Sequence, residues 1–167
     1  PLNMYQISVP MFISSLNMLS GILAKAERYS KKKKIDSTIF AQARLIADMY
    51  PVTRQIQIGT DMVRKGMGRL ANIDCPTLKD DEVTLADLQK RINKTIVFLK
   101  KIKPGHMEGA ETKKIEFSIR DNKFKFDRGD EYLHAWIIPH FFFHMTTTYN
   151  ILRANGVNLG KRDFVKM

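Results

Sequence analysis

Cysteine is almost missing: Cys75 is the only one in 167 residues. That excludes an internal disulfide framework and any multi-cysteine zinc site, and a reducing, cytoplasmic setting is the expectation that goes with it. Unbroken apolar runs are missing too. The stretch from Met11 to Leu23 is interrupted by Ser14, Ser15, Asn17 and Ser20, whereas a membrane span needs roughly 18 to 20 apolar residues in succession. No basic segment precedes it, so it does not read as a secretory leader, and Pro1 suggests that the protein begins upstream. Catalytic signatures are equally sparse. There is no glycine-rich phosphate loop after a strand, no serine nucleophile elbow and no His-Glu-x-x-His element.

Acidic residues are outnumbered, 17 Asp and Glu against 28 Lys and Arg, for a net charge of +11. The cations are scattered through Lys31 to Lys34, Lys100, Lys101, Lys103, Lys113, Lys114, Lys123, Lys125, Lys161 and Arg162. They build no recognition helix and no basic strand face with interleaved aromatics, so they read as solvated surface and specific nucleic-acid binding is not expected. With 44% apolar and 27% charged residues, the chain reads as one soluble globular domain over residues 1–167.

Helical periodicity dominates what is there. Phe12, Leu16, Leu19, Leu23 and Ala26 alternate four and three apart, the apolar face of a first helix. A second helical region opens near Asp36 and carries Ile39, Phe40, Ala43 and Ile46, and Pro51 either kinks it or starts a new helix. Val52, Ile56, Gly59, Val63, Gly66 and Leu70 continue the same spacing. Glycine on a buried stripe implies close backbone approach, since it costs a helix about 1 kcal/mol relative to alanine. Thr84 with Asp87 forms a capping-box pattern ahead of Leu85, Leu88, Ile92, Thr95, Leu99 and Ile102, a helix that Pro104 and Gly105 stop. Ile115, Phe117 and Ile119 then alternate with polar residues, Asp121-Asn122 suggests a turn, and Phe124 and Phe126 alternate again. This predicts a short β-hairpin within about residues 113–128. Asp130 is the expected cap of the last helix, which Gly156 ends. The pattern is all-α: an antiparallel four-helix bundle with a small β-hairpin inserted before the last helix.

The last helix holds the most informative residues. Leu133, Ile137, His140, His144, Thr147 and Ile151 share a stripe, which places both imidazoles on one inward face. Two such nitrogens can grip one divalent ion, but a third ligand has to come from another helix. Gln55 is placed for that on the stripe of Val52 and Gly59, and Asp48 lies seven residues earlier on the same stripe if Pro51 leaves the helix continuous. Asp48 is the better ligand chemically. The alternative is that the two histidines are core residues bonded to Gln55, Asp48 or Tyr149. Pro139 is expected to bend the helix beside them, and a bend next to inward polar groups, with Trp136 alongside, suits a small pocket. Ile138, Phe141, Met145 and Leu152 form a second apolar face, to be covered by the first helix and hairpin or by the twin subunit of a homodimer. His134 and His106 read as bystanders, and Cys75 as an inert thiol.

Three segments resemble a known family: Asp48-Met-Tyr-Pro-Val-Thr-Arg-Gln55, Pro139-His-Phe-Phe-Phe-His144-Met-Thr-Thr, and Ile151-Leu-Arg-Ala-Asn-Gly156-Val-Asn-Leu-Gly-Lys-Arg-Asp-Phe164. They are similar to an uncharacterised domain-of-unknown-function family of the DinB-like superfamily, over nearly the whole chain. The resemblance implies a four-helix bundle, commonly dimeric. Better-known superfamily members bind zinc or nickel through three histidines, and some are metal-dependent thiol transferases or hydrolases. Two of those ligands sit four apart on the last helix, matching His140 and His144. The third comes from the second helix, where this chain offers Gln55 or Asp48 in place of histidine.

The sequence therefore leads to a buried polar site of Asp48, Gln55, Trp136, His140 and His144. Either it is a small-molecule pocket for an apolar ligand, or a degenerate metal site, or a metal centre of His140, His144 and Asp48 in a transferase or hydrolase.

Overall fold

Four long helices enclose one apolar core in the structure, a computed structural model that describes residues 2–167. Pro1 lies outside the described residues. Helix α1 spans Val9–Lys33 and buries Phe12, Leu16, Leu19, Ile22, Leu23 and Ala26, as its periodicity predicts. By length and composition α1 could cross a membrane, with a mean hydropathy of 1.3 over its most apolar window. Here that apolar face is spent on the bundle core. Lysines fill its last turn, where the helix dipole favours positive charge, and Lys34 closes it in the left-handed conformation.

The second helical region is shorter than its periodicity predicts. α2 spans only Ser37–Gln42, capped by the Asp36 side chain on the Thr38 N–H. The chain leaves the helix at Ala43, whose carbonyl accepts from the Val52 N–H. Arg44 Nη1 donates to the carbonyls of Ala47 and Met49 and holds the following turn. Ile39 and Ile46 are exposed as a result. Pro51 begins a new helix, α3 (Val52–Ala71), instead of kinking an old one. Every residue of the predicted α3 stripe is buried.

α4 spans Leu85–Lys101 and opens with the expected capping box: Thr84 Oγ1 accepts from the Asp87 N–H at 3.1 Å, and Asp87 Oδ2 accepts from the Thr84 N–H at 3.0 Å. Thr84→Ala is expected to lower the stability of the protein by about 1 kcal/mol, read as a shift in denaturation midpoint with an unchanged slope. Two short 3₁₀ turns, Pro104–Met107 and Ala110–Thr112, lead into β1 (Ile115–Ile119) and β2 (Asn122–Phe126). The strands pair antiparallel with Phe117 opposite Phe124, so Arg120 and Asp121 make the turn, one residue earlier than expected. That register stacks the two phenyl rings with centroids 5.3 Å apart.

The last helix is continuous from α5 (Gly129–Glu131) through a π-helical segment, Tyr132–Ile137, into α6 (Ile138–Ala154). Asp130 is not its cap; it lies inside the first turn and pairs with Arg128. The π segment precedes Pro139, which has no N–H to donate and whose ring would crowd the Ala135 carbonyl in a regular α-turn. The wide turn relieves both problems and shifts the phase of the helix. Phe141 takes the inward position between Ile137 and His144, and His140 moves to the edge. α7 (Lys161–Phe164) closes the chain against α1, where Lys25 pairs with Asp163 at 2.6 Å. Around the bundle α1 neighbours α4, α4 neighbours α3, and α3 packs most closely on α6. The second apolar face of α6 is covered within the chain: Phe12 meets Phe141 edge-on at 5.3 Å, and Phe164 of α7 approaches Phe142.

Candidate functional site

Glycine sets the separation of α3 and α6. A Cβ at Gly66 would lie 2.6 Å from Ile137 Cδ1, and one at Gly59 would overlap the tip of Met145 and sit 3.2 Å from His144 Cβ. This close approach brings Gln55, one turn before Gly59, against His144. Gln55 Oε1 and His144 Nδ1 are 2.7 Å apart, and Gln55 Nε2 donates to the Tyr50 carbonyl at 3.1 Å. A carbonyl can only accept, so it fixes the amide with its nitrogen toward Tyr50 and its oxygen toward the ring. The hydrogen of the neutral His144 ring is therefore on Nδ1, and Nε2 carries the free lone pair.

His140 follows the same logic. Its Nδ1 lies 2.9 Å from the Trp136 carbonyl, so Nδ1 donates and Nε2 is again the free acceptor. The His140 ring lies against the Trp136 indole, tilted 59° to it, with centroids 4.2 Å apart. Among the described residues Arg64 Nε is the only fully buried side-chain nitrogen or oxygen without a partner. The unpaired Nε2 atoms of both histidines consequently reach the surface. Burial, then the neighbouring His140 and Arg54, push His144 down to about 4, so its ring is uncharged near neutral pH.

A groove of about 570 Å³ lies between α3 and the hairpin; neither imidazole lines it, but residues next to the pair do. One wall is the outward face of α3, from Arg54 through Ile58 and Met62 to Arg69. The other is the hairpin from Phe117 to Asn122, and Trp136 lies between them. Tyr50, Arg54 and Trp136 belong to both the groove and the surroundings of the histidine pair. Arg69 holds the hairpin in place, with its guanidinium 4.2 Å from the Phe117 ring centroid and Nη1 donating to the Tyr132 hydroxyl at 2.9 Å.

Of the residues singled out from sequence, Gln55, Trp136, His140 and His144 come together. Asp48 does not. Because α2 ends at Gln42 and α3 starts at Val52, Asp48 is an exposed residue of the intervening loop and shares no stripe with Gln55. Tyr149 is turned toward Phe164. His134 is exposed, and His106 accepts the Lys103 N–H in a turn. Cys75 is held by Arg64 Nη1 at 3.3 Å, and burial raises its thiol above the ordinary value.

A zinc or nickel site of the kind the resemblance implies needs three protein donors. Two imidazole Nε2 atoms are available, but Gln55 Oε1 is engaged by the His144 ring and Asp48 is elsewhere. No group of three or more His, Cys, Asp or Glu able to hold a metal occurs among the described residues. These residues do not fit a three-ligand centre; Gln55 is the partner that orients His144, not a ligand.

Sequence reading missed a charged network that runs from the groove wall on α3 to Arg91 of α4. Arg91 of α4, 1% exposed, donates to Asp61 at 2.7 Å, Glu82 at 2.9 Å, Thr60 Oγ1 at 2.9 Å and the Lys79 carbonyl at 3.1 Å. Asp61 also receives Arg64 and Lys65, and Arg54 pairs with Asp80. Burial works to raise the Asp61 carboxyl, but the hydrogen bonds from Lys65 and Arg64 and the charge of Arg91 hold it below the usual carboxylate range. The signal was present: Arg91 interrupts the buried stripe between Leu88 and Ile92.

The family described as a domain of unknown function, DUF1993, matches residues 4–165. Among solved structures, a DinB family member protein from Shewanella denitrificans is similar at 33% identity and a TM-score of 0.87, over 98% of this chain and 92% of that one. No curated protein matches.

Proposed function

We propose a function from one premise: this chain belongs to the DUF1993 family of DinB-like domains. It is a small-molecule-binding protein, and its site is the groove between α3 and the hairpin, continued past Trp136 and Arg54 to the neighbouring His140 and His144. The observation that carries this reading is the pair of free Nε2 acceptors, each fixed by a hydrogen bond at Nδ1. Acceptors oriented in advance beside an aromatic wall suit a ligand with a hydroxyl or N–H donor on a flat apolar body, since orientation fixed beforehand lowers the entropy lost on binding. Trp136, Ile58 and Met62 supply the apolar contact.

The test is a thermal-shift screen of naphthols and substituted phenols on the wild type, His144→Ala and His140→Ala. Stabilisation of the wild type that is lost in either variant is the expected outcome. No stabilisation by any compound, or stabilisation unchanged in both variants, overturns the reading. Metal analysis on the same preparations adds a second way to fail. About one zinc or nickel per chain, lost when both histidines are replaced, would favour a metal-dependent transferase or hydrolase instead.

A further inference from the structure

The groove is cationic, and its acids are already committed. Four of its lining residues are basic, Arg54, Lys65, Arg69 and Arg120, against two acidic ones, Asp61 and Asp80. Asp80 pairs with Arg54 at 2.9 Å and Arg91 at 3.1 Å, and Asp61 pairs with Arg64, Lys65 and Arg91. Both carboxylates thus also serve guanidiniums that lie behind the wall. Arg69 and Arg120 have no carboxylate partner among the described residues. Arg69 is nonetheless held, stacked on Phe117 and donating to Tyr132, which leaves the other donors of its fork unspent. Arg120 stands at the hairpin turn with φ +52°, a backbone that presents it at the rim of the groove.

We infer that the groove takes an anion: a carboxylate, sulfonate or phosphate group on a flat apolar body, with the anionic group at Arg69 and Arg120 and the apolar body along Trp136, Ile58 and Met62. This rests on the small-molecule reading above and names the ligand class for it. A guanidinium already oriented by stacking gives a charge-assisted hydrogen bond at reduced entropic cost. Arg69 and Arg120 stand on the hairpin side of the groove, so the anionic end of the ligand lies toward the hairpin and its other end toward Trp136 and α6.

Trp136 is the only tryptophan in the chain, so its fluorescence reports occupancy of this groove alone. The experiment titrates naphthoate and its uncharged methyl ester into the wild type, Arg69→Gln and Arg120→Asn, reading calorimetry and Trp136 quenching together. Asparagine tolerates the left-handed backbone at position 120, so that variant keeps the turn even if Arg69→Gln loosens the hairpin. Naphthoate is expected to bind the wild type at least about tenfold more tightly than the ester, and each substitution to weaken naphthoate about tenfold while leaving the ester unchanged. Equal affinity for the two probes, or naphthoate binding that neither substitution alters, overturns the anion inference and leaves the small-molecule reading standing. Failure of both probes to quench Trp136 at millimolar concentration also overturns the anion inference; neither probe carries a hydroxyl or N–H donor, so the small-molecule reading is decided separately by the naphthol and phenol screen.

Discussion

Replacing Arg91 by methionine is expected to remove about 3 to 5 kcal/mol of stability, the range for breaking a buried ion pair from one side. The guanidinium is 1% exposed and touches three carboxylates (Asp61, Asp80 and Glu82), a hydroxyl and two backbone carbonyls on α3 and the α3–α4 loop. Methionine fills much of the volume but leaves Asp61 and Glu82 with fewer donors in a site that water cannot fully reach. Each keeps one neighbour or more, Asp61 through Arg64 and Lys65 and Glu82 through Gln57 Nε2 at 2.8 Å, which argues against a still larger loss. Arg91→Lys is expected to recover only part, because one ammonium cannot span acceptors that a planar fork reaches. Arg54→Met, which removes a pair with sides 35% and 43% exposed, is the control and should cost under about 1 kcal/mol. Urea denaturation of the three variants decides it. A loss below about 1 kcal/mol for Arg91→Met would show that the network contributes little to holding the loop on α3 and α4.

Arg91 also marks where sequence reading stops. Periodicity places the stripes of α1, α3 and α4 residue for residue, because apolar spacing is a local property that burial must respect. The same stripe contains Arg91, but the residues that neutralise it come from α3 and a loop with no pattern of its own. Asp48 was misplaced for a related reason. Whether α2 runs on to Pro51 depends on Arg44 folding back onto the Ala47 and Met49 carbonyls, a side-chain contact that periodicity does not register. Pro139 announced a disturbance of the last helix, yet a bend and a π segment have different consequences. A bend keeps His140 and His144 on one inward face, whereas the wide turn hands the inward position to Phe141 and sends His140 beside Trp136. The half of the site that depends on local spacing, Gln55 four residues before Gly59 and His144 opposite, was legible. The groove was not, because its walls meet only when the hairpin folds onto α3.

Acid should expose the state of His144. The unfolded chain titrates this ring near 6.5 and the folded one near 4. Between those values the unfolded chain holds a proton that the folded chain does not, so stability rises with pH across the interval. His144 therefore costs the fold nothing above about pH 7 and progressively more as pH falls toward 4. At about 1.4 kcal/mol per unit the whole interval is worth at most about 3.5 kcal/mol, and solvent at the Nε2 edge reduces what is realised. Between pH 7 and pH 5 the wild type is expected to lose about 1.5 to 2 kcal/mol more than His144→Gln. The window is separable from the carboxylates: Asp61 is held below its ordinary value of 3.8, so its loss falls in stronger acid. Nitrogen NMR of the histidine ring gives an independent check, with Nδ1 protonated and Nε2 bare down to about pH 4. A ring that titrates near 6.5, with equal pH slopes for wild type and variant, would mean that Gln55 does not hold His144 as a neutral acceptor. The ligand site would then lose its fixed end, since a protonated imidazole donates from both nitrogens and cannot accept the hydroxyl or N–H of a ligand.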